Sequence, residues 1–134
     1  MSEKSGFEAI PIGMEMGPLE MTLDEDTVAS RLELIQWENR EPVDKYGVTP
    51  PGITINQHAR IKFMALPELS ASIWAKSEHE FLKPMKAGSR IFIRGKVVDK
   101  YVKRGRNYVV SECETVDEAG EVLLRSRETS VYVK

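Results

Sequence analysis

From residue 90 onward, apolar and polar side chains alternate. Ile91, Ile93 and Val97 fall out of phase with Arg90, Arg94 and Lys96, the two-residue period of a strand buried on one face. The same rule predicts strands near residues 69–82, 107–116 and 122–133. Turn chemistry separates them. Pro84 has no N–H for a ladder and Gly88 accepts turn geometry, so the 82–89 stretch interrupts one long strand and starts the next. Lys103-Arg104-Gly105-Arg106 and Asp117-Glu118-Ala119-Gly120 read as hairpin connections, each with a glycine able to take positive φ.

Upstream the period changes. Glu20 to Leu23 reads as a short strand, and Asp24-Glu25-Asp26-Thr27 supplies an N-cap and acidic first turn for a helix to about Ile35, with Val28, Arg31, Leu32 and Ile35 on one stripe. Residues 1–18 are rich in Gly, Pro and Met and are expected to wrap loosely on the core, with Met14 and Met16 able to pack. Residues 36–51 carry Pro42, Gly47, Pro50 and Pro51, which predicts a long irregular surface connection, a kind of loop that often carries function. Residues 53–66, ended by Pro67, read as a helix. Ile55, Ala59, Phe63 and Leu66 share one face while Ile53, Ile61 and Met64 lie elsewhere, so apolar surface runs most of the way round and predicts a helix covered by a curled sheet.

Composition narrows the function classes. The 134 residues, 41% hydrophobic, suit one domain over 1–134 with a single core. Charged residues make up 30% of the chain but leave a net charge of −2, so no global field gathers nucleic acid or coats an anionic membrane. Tyr101 and Tyr108 are too few for a base-stacking platform. The single cysteine, Cys113, is expected to be a buried thiol, and with two isolated histidines it offers no metal-ligand spacing. No apolar run reaches the roughly 18 residues of a membrane span, and Met-Ser-Glu-Lys-Ser-Gly at the start lacks an apolar signal stretch. A soluble, cytoplasmic protein is the expectation.

The phrase Phe81-Leu-Lys-Pro-Met-Lys-Ala-Gly88 ahead of a long strand, the Asp117-Glu-Ala-Gly120 turn, and one apolar helix before four strands together resemble the MaoC-like acyl dehydratases and enoyl-CoA hydratases. The resemblance lies nearest the fatty-acid-synthase-like dehydratase N-terminal branch. It implies an α+β hot-dog fold, a curved antiparallel sheet around a long helix. It also implies an acyl-CoA or other acyl thioester as substrate, no separate cofactor, and a homodimer or a heterodimer with a catalytic hot-dog subunit. The family's catalytic signature, Asp-x-Asn-Pro-x-His before the central helix, is altered here. With Pro42 on the family's proline, Asn39 takes the Asp position, Glu41 the Asn position and Asp44 the His position. Moving a proton beside a thioester needs a group titrating near neutrality. Asn39 cannot titrate, and Asp44 serves only if burial raises its pKa.

Other candidates each carry two readings. Backbone N–H groups of Gly52 and Ile53 are placed to polarise a thioester carbonyl, or Pro51 and Gly52 simply turn the chain into the helix. His58, on an apolar helix, either faces substrate or is hydrogen-bonded in the core. His79, between Glu78 and Glu80, suits a solvated or interface position. Lys100, Lys103, Arg104 and Arg106 form a basic cluster that suits either CoA phosphates or a solvated hairpin tip. Three functions follow: a dehydratase or hydratase subunit that shapes the acyl pocket; a stand-alone hydratase or thioesterase using Asp44 or Glu41; and a binding module for acyl-CoA or a partner, without chemistry.

Overall fold

A computed structural model describes residues 6–36, 40–50, 52–66 and 72–132. The elements are β1 (Glu15–Thr22), α1 (Glu25–Leu34), α2 (Glu41–Tyr46), α3 (Ile55–Ala65), β2 (Ile73–Phe81), β3 (Arg90–Lys103), β4 (Arg106–Asp117) and β5 (Val122–Tyr132). The strands form one antiparallel sheet in the order β1-β3-β4-β5-β2, with α3 packed across β1, β3 and β4. This is the α+β hot-dog arrangement.

Alternation sets what each strand presents to the helix. Three rows cross the concave face: Ile93, Thr115, Leu124 and Phe81; Gly95, Cys113, Ser126 and His79; Val97, Ser111, Glu128 and Ser77. The β1–β3 side of that face is apolar, with Met16, Ile91 and Ile93 all buried, and the β5 side is polar. At Gly95 a Cβ would lie 2.6 Å from the Cys113 Sγ and 2.8 Å from the Glu112 carbonyl oxygen, so the middle row closes only over glycine.

Asp24 caps α1 as expected, its carboxylate accepting from the Thr27 N–H at 2.8 Å. Three expectations need correction. The amino-terminal region is more ordered than loose wrapping implies: Gly6–Ala9 forms a 3-10 turn, Ile10 is buried, and β1 begins at Glu15, so Met16 packs within a strand. Within the supposed irregular connection, Glu41–Tyr46 forms a helix because Pro42 suits a first turn and Gly47, at φ 64°, ends it in the left-handed region. Thirdly, α3 is not apolar-buried all round. Phe63 and Met64 are exposed, while His58, Ile61 and Lys62 face inward. Ile61 and the polar partners that the sheet offers His58 and Lys62 together set the buried face.

Candidate functional site

The segment after α2 is stitched to the turn that precedes β3. Ala87 N–H donates to the Gly47 carbonyl at 2.7 Å, Val48 bridges Lys86, and Thr49 N–H donates to the Met85 carbonyl at 2.8 Å. Between this seam, α2 and the end of β2 lies a cavity of about 510 Å³, walled by Pro42, Val43, Val48, Pro50, Phe81, Leu82, Pro84 and Met85. Its remaining lining residues are Thr49, Gly52 and Lys83, and no carboxylate or imidazole is among them. Lys83 pairs with Glu121. The chemistry of the space is therefore that of an apolar pocket with few polar points, the usual make-up of a small-ligand site.

A larger groove of about 790 Å³ lies over the outward-facing side chains of β3 and β4, including Phe92, Arg94, Glu112 and Glu114. It is lined by charged side chains of both signs, of which Arg94 pairs with Glu114 at 2.7 Å and Glu112 with Arg127 at 2.5 Å. The smaller, apolar cavity beside α2 and the approach to α3 is the better candidate.

Behind the cavity wall runs a buried chain of hydroxyls and imidazoles. Thr54, just ahead of α3, has its Oγ1 3.9 Å from the Met85 sulfur and 2.8 Å from the Thr115 Oγ1. Thr115 Oγ1 lies 2.6 Å from His58 Nε2, Ser126 Oγ 2.8 Å from His58 Nδ1, and the same Ser126 Oγ 2.8 Å from His79 Nδ1. Ser126 has one proton, so it donates to at most one of the two rings, and at least one of the imidazoles donates its Nδ1–H to the Ser126 oxygen. His58 is fully buried, and burial first, then the charge of His79, lowers its pKa to about 4. Both its ring nitrogens have hydrogen-bond partners within the core.

One turn along α3, Lys62 donates to Glu128 Oε2 at 3.3 Å and Ser130 Oγ at 2.9 Å, with both members of the ion pair buried. Glu128 Oε1 and Ser111 Oγ have no hydrogen-bond partner among the described residues. Cys113 is buried as expected, its Sγ 3.7 Å from the His58 carbonyl oxygen, and burial first, then Glu128, pushes its pKa up to about 12. At ordinary pH it is an unreactive thiol.

The remaining predicted residues fall as follows. Asn39 and Pro51 lie outside the described residues. Glu41 opens α2 and is exposed. Asp44 is exposed and does not line the cavity; its carboxylate accepts from Arg40 at 3.4 Å, and Arg40 also reaches Glu25 at 3.2 Å. Gly52 lines the cavity at φ 80°, whereas the Ile53 N–H is already spent on the Pro50 carbonyl at 3.3 Å. Lys103, Arg104 and Arg106 are exposed at the β3–β4 tip. That tip is some ten residues, roughly 33 Å, along β3 from Ile93, and Ile93 is level with Phe81 of the cavity. Within one chain the basic cluster and the cavity are at opposite ends. Lys100 instead donates to the Phe7 carbonyl at 3.0 Å.

Sequence reasoning missed Thr49, Thr54, Thr115, Ser126, Lys62 and Glu128. The last four lie on the β4, β5 and α3 faces turned toward each other. No local signal marks them, because β5 is polar on both faces over Arg125 to Ser130.

No family model matches the sequence, and no curated protein matches it by sequence. Similar solved structures are found by shape. A monoamine oxidase regulatory protein from Archaeoglobus fulgidus aligns with TM-score 0.79 at 18% identity, covering 94% of this chain and 92% of that one. The R-hydratase PhaJ1 from Pseudomonas aeruginosa aligns with TM-score 0.79 at 12% identity, over 94% of this chain and 84% of that one. HadBC, a 3R-hydroxyacyl-ACP dehydratase complex from Mycobacterium tuberculosis, aligns with TM-score 0.76 at 14% identity, over 90% and 96%. At these identities the likeness is one of fold. The chain has the hot-dog fold found in MaoC-like dehydratases and R-hydratases.

Proposed function

We propose that this chain is a subunit or divergent member of an acyl-thioester dehydratase or enoyl-CoA hydratase system, shaping the acyl pocket rather than supplying its acid/base pair. The observation that carries the reading is the apolar cavity of about 510 Å³ beside α2 and Gly52, whose lining lacks any carboxylate or imidazole. An alkyl chain gains from transfer into such a space. Water addition to an enoyl thioester needs a proton carrier near the reacting carbons, and two candidates are committed elsewhere: Asp44 to Arg40, and His58 to Thr115 and Ser126. Solved structures of the same fold include an R-hydratase and a 3R-hydroxyacyl-ACP dehydratase complex, which adds fold-level analogy.

Pairing with a second hot dog completes the reading. The sheet ends at β1 and β2. Pro18 and the register shift between Met16 and Leu19 blunt the β1 edge. β2 has no proline and exposes Ile73, Trp74 and Phe81. A partner strand on β2 extends the sheet, covers those side chains and lies next to the cavity, which Phe81 lines. In a heterodimer with a catalytic hot dog the Asp–His pair comes from that partner, and in a homodimer the paired chains bind the thioester without turnover.

The test is crotonyl-CoA hydration, followed by loss of the enoyl-thioester absorbance. The purified chain alone is expected to bind crotonyl-CoA without turnover. Robust turnover would eliminate the pocket-shaping reading in favour of a stand-alone hydratase.

A further inference from the structure

We infer that the acyl-thioester site is shared between two copies of this chain: the acyl group enters one copy's cavity beside α2, and the β3–β4 tip of the other copy, with Lys103, Arg104 and Arg106, receives the phosphates of the coenzyme A moiety. This rests on the acyl-thioester reading and the β2 pairing above. Within one chain the tip and the cavity lie at opposite ends of the sheet. The row through Phe81 passes Leu124, Thr115 and Ile93, whereas the row nearest the tip joins Ile73, Val131, Tyr108 and Tyr101. Antiparallel pairing of two β2 strands about Ser77, midway between Ile73 and Phe81, reverses the second copy. Its Ile73 end, and its tip with it, then comes level with the first copy's Phe81, which lines the cavity.

Charge selects a second copy and its register. Across the outward face the sign alternates from strand to strand: Lys96 lies opposite Glu112, Glu112 opposite Arg127, and Arg127 opposite Glu78 on β2. A further strand on that edge therefore favours a cation beside Glu78. Centred on Ser77, two β2 strands set each Lys76 opposite the other copy's Glu78, adding to the 3.3 Å pair that the two residues make within one chain. Centring on Lys76 or on Glu78 would set like charges opposite one another.

The coenzyme A arm is long enough to join the two places. From β2 of one copy to β4 of the other is three strand spacings, roughly 14 Å. The pantetheine arm between thioester and pyrophosphate has the backbone length of about four extended residues, also roughly 14 Å. The tip is a firm mount: Arg104 at φ 52° and Gly105 at φ 74° make a tight two-residue turn, and the Tyr101 and Tyr108 rings stack at 4.8 Å beneath it. Lys103, Arg104 and Arg106 are exposed and pair with no carboxylate among the described residues. They are free to meet phosphate by charge-assisted hydrogen bonds.

The experiment is calorimetric titration with hexanoyl-CoA and with S-hexanoyl-pantetheine, which keeps the thioester and lacks the phosphates. The wild-type chain is expected to prefer hexanoyl-CoA by roughly tenfold at low salt, from three exposed charge pairs at about twofold each. Lys103→Gln/Arg104→Gln/Arg106→Gln binds both alike. Leu82→Trp, at a cavity position 41% exposed, fills the cavity and binds neither. Mixed dimers of these two chains, isolated through two different tags, hold one open cavity, facing the charged tip of the other chain. The preference is expected to return there, at one site per dimer. A site without preference in the mixed dimer, a preference kept by the triple variant, or a failure to form mixed dimers overturns the proposal. Equal binding of both thioesters by the wild-type chain also overturns it and leaves the acyl-thioester reading standing. Binding of neither by the wild-type chain, or binding of either by Leu82→Trp alone, overturns the cavity as the acyl site and the proposal with it.

Discussion

At the scale of residues, the unusual feature is how much polar chemistry lies between α3 and the sheet. His58, Lys62, Thr115, Ser126, Glu128 and Ser130 are all buried. A core imidazole is tolerable only while it stays neutral and bonded. The sign of its contribution follows from the lowered pKa of His58, about 4 folded against 6.5 for an ordinary histidine. Above about pH 6.5 both folded and unfolded chains hold it neutral and stability is undiminished. As pH falls through that value the unfolded chain takes up a proton that the folded chain refuses, and stability declines until about pH 4. The groups facing His58 are His79 from β2, Thr115 and Cys113 from β4 and Ser126 from β5, with Lys62 on its own helix. Urea unfolding at pH 7 and pH 5 is expected to show a drop of about 1–3 kcal/mol. In His58→Gln that drop should shrink; an equal drop in the variant would place the titration elsewhere.

At the scale of elements, β2 is the edge on which the proposed pairing rests. Its residues are exposed almost throughout, and its outer edge carries backbone groups that a second strand can use. The purified chain is expected to sediment at twice its chain mass, and Trp74→Lys, at a position 43% exposed in the single chain, to sediment as a folded monomer. A wild-type monomer, or a variant that still pairs, would remove β2 as the joining edge. The strands themselves were legible in the sequence, because Ile91, Ile93 and Val97 alternate with charged residues and Gly105 and Gly120 mark the hairpins. The cap of α1 was legible in Asp24. The inward face of α3 was not. A wheel ranks Phe63 and Met64 above Lys62, yet Lys62 is buried because Glu128, 66 residues away, faces it. The α2 helix was hidden for a different reason: Pro42 and Gly47 are turn residues in isolation, and only their spacing as first turn and left-handed end makes a short helix.

At the scale of the whole molecule, the sheet's polar side and its apolar side divide the work. Residues Ile91, Ile93, Met16 and Ile61 make the core that holds α3. The rows ending at Phe81 and His79 lead out to the open edge, where the cavity and the β2 face adjoin. Of the site, the sequence drew attention to Pro42 and Gly52, both of which line the cavity. It did not disclose the seam between residues 47–49 and 85–87 that walls the cavity. Among the described residues, no helix is long and apolar enough to cross a membrane.

The central claim is that the space beside α2 holds an acyl chain. Calorimetric titration of the chain with a homologous series of straight-chain acyl-CoA thioesters, with CoA itself as reference, tests it most directly. Affinity is expected to rise by about fourfold per added methylene, equivalent to about 0.8 kcal/mol of apolar transfer, until the cavity is full. Affinity independent of chain length and equal to that of CoA alone would contradict the account.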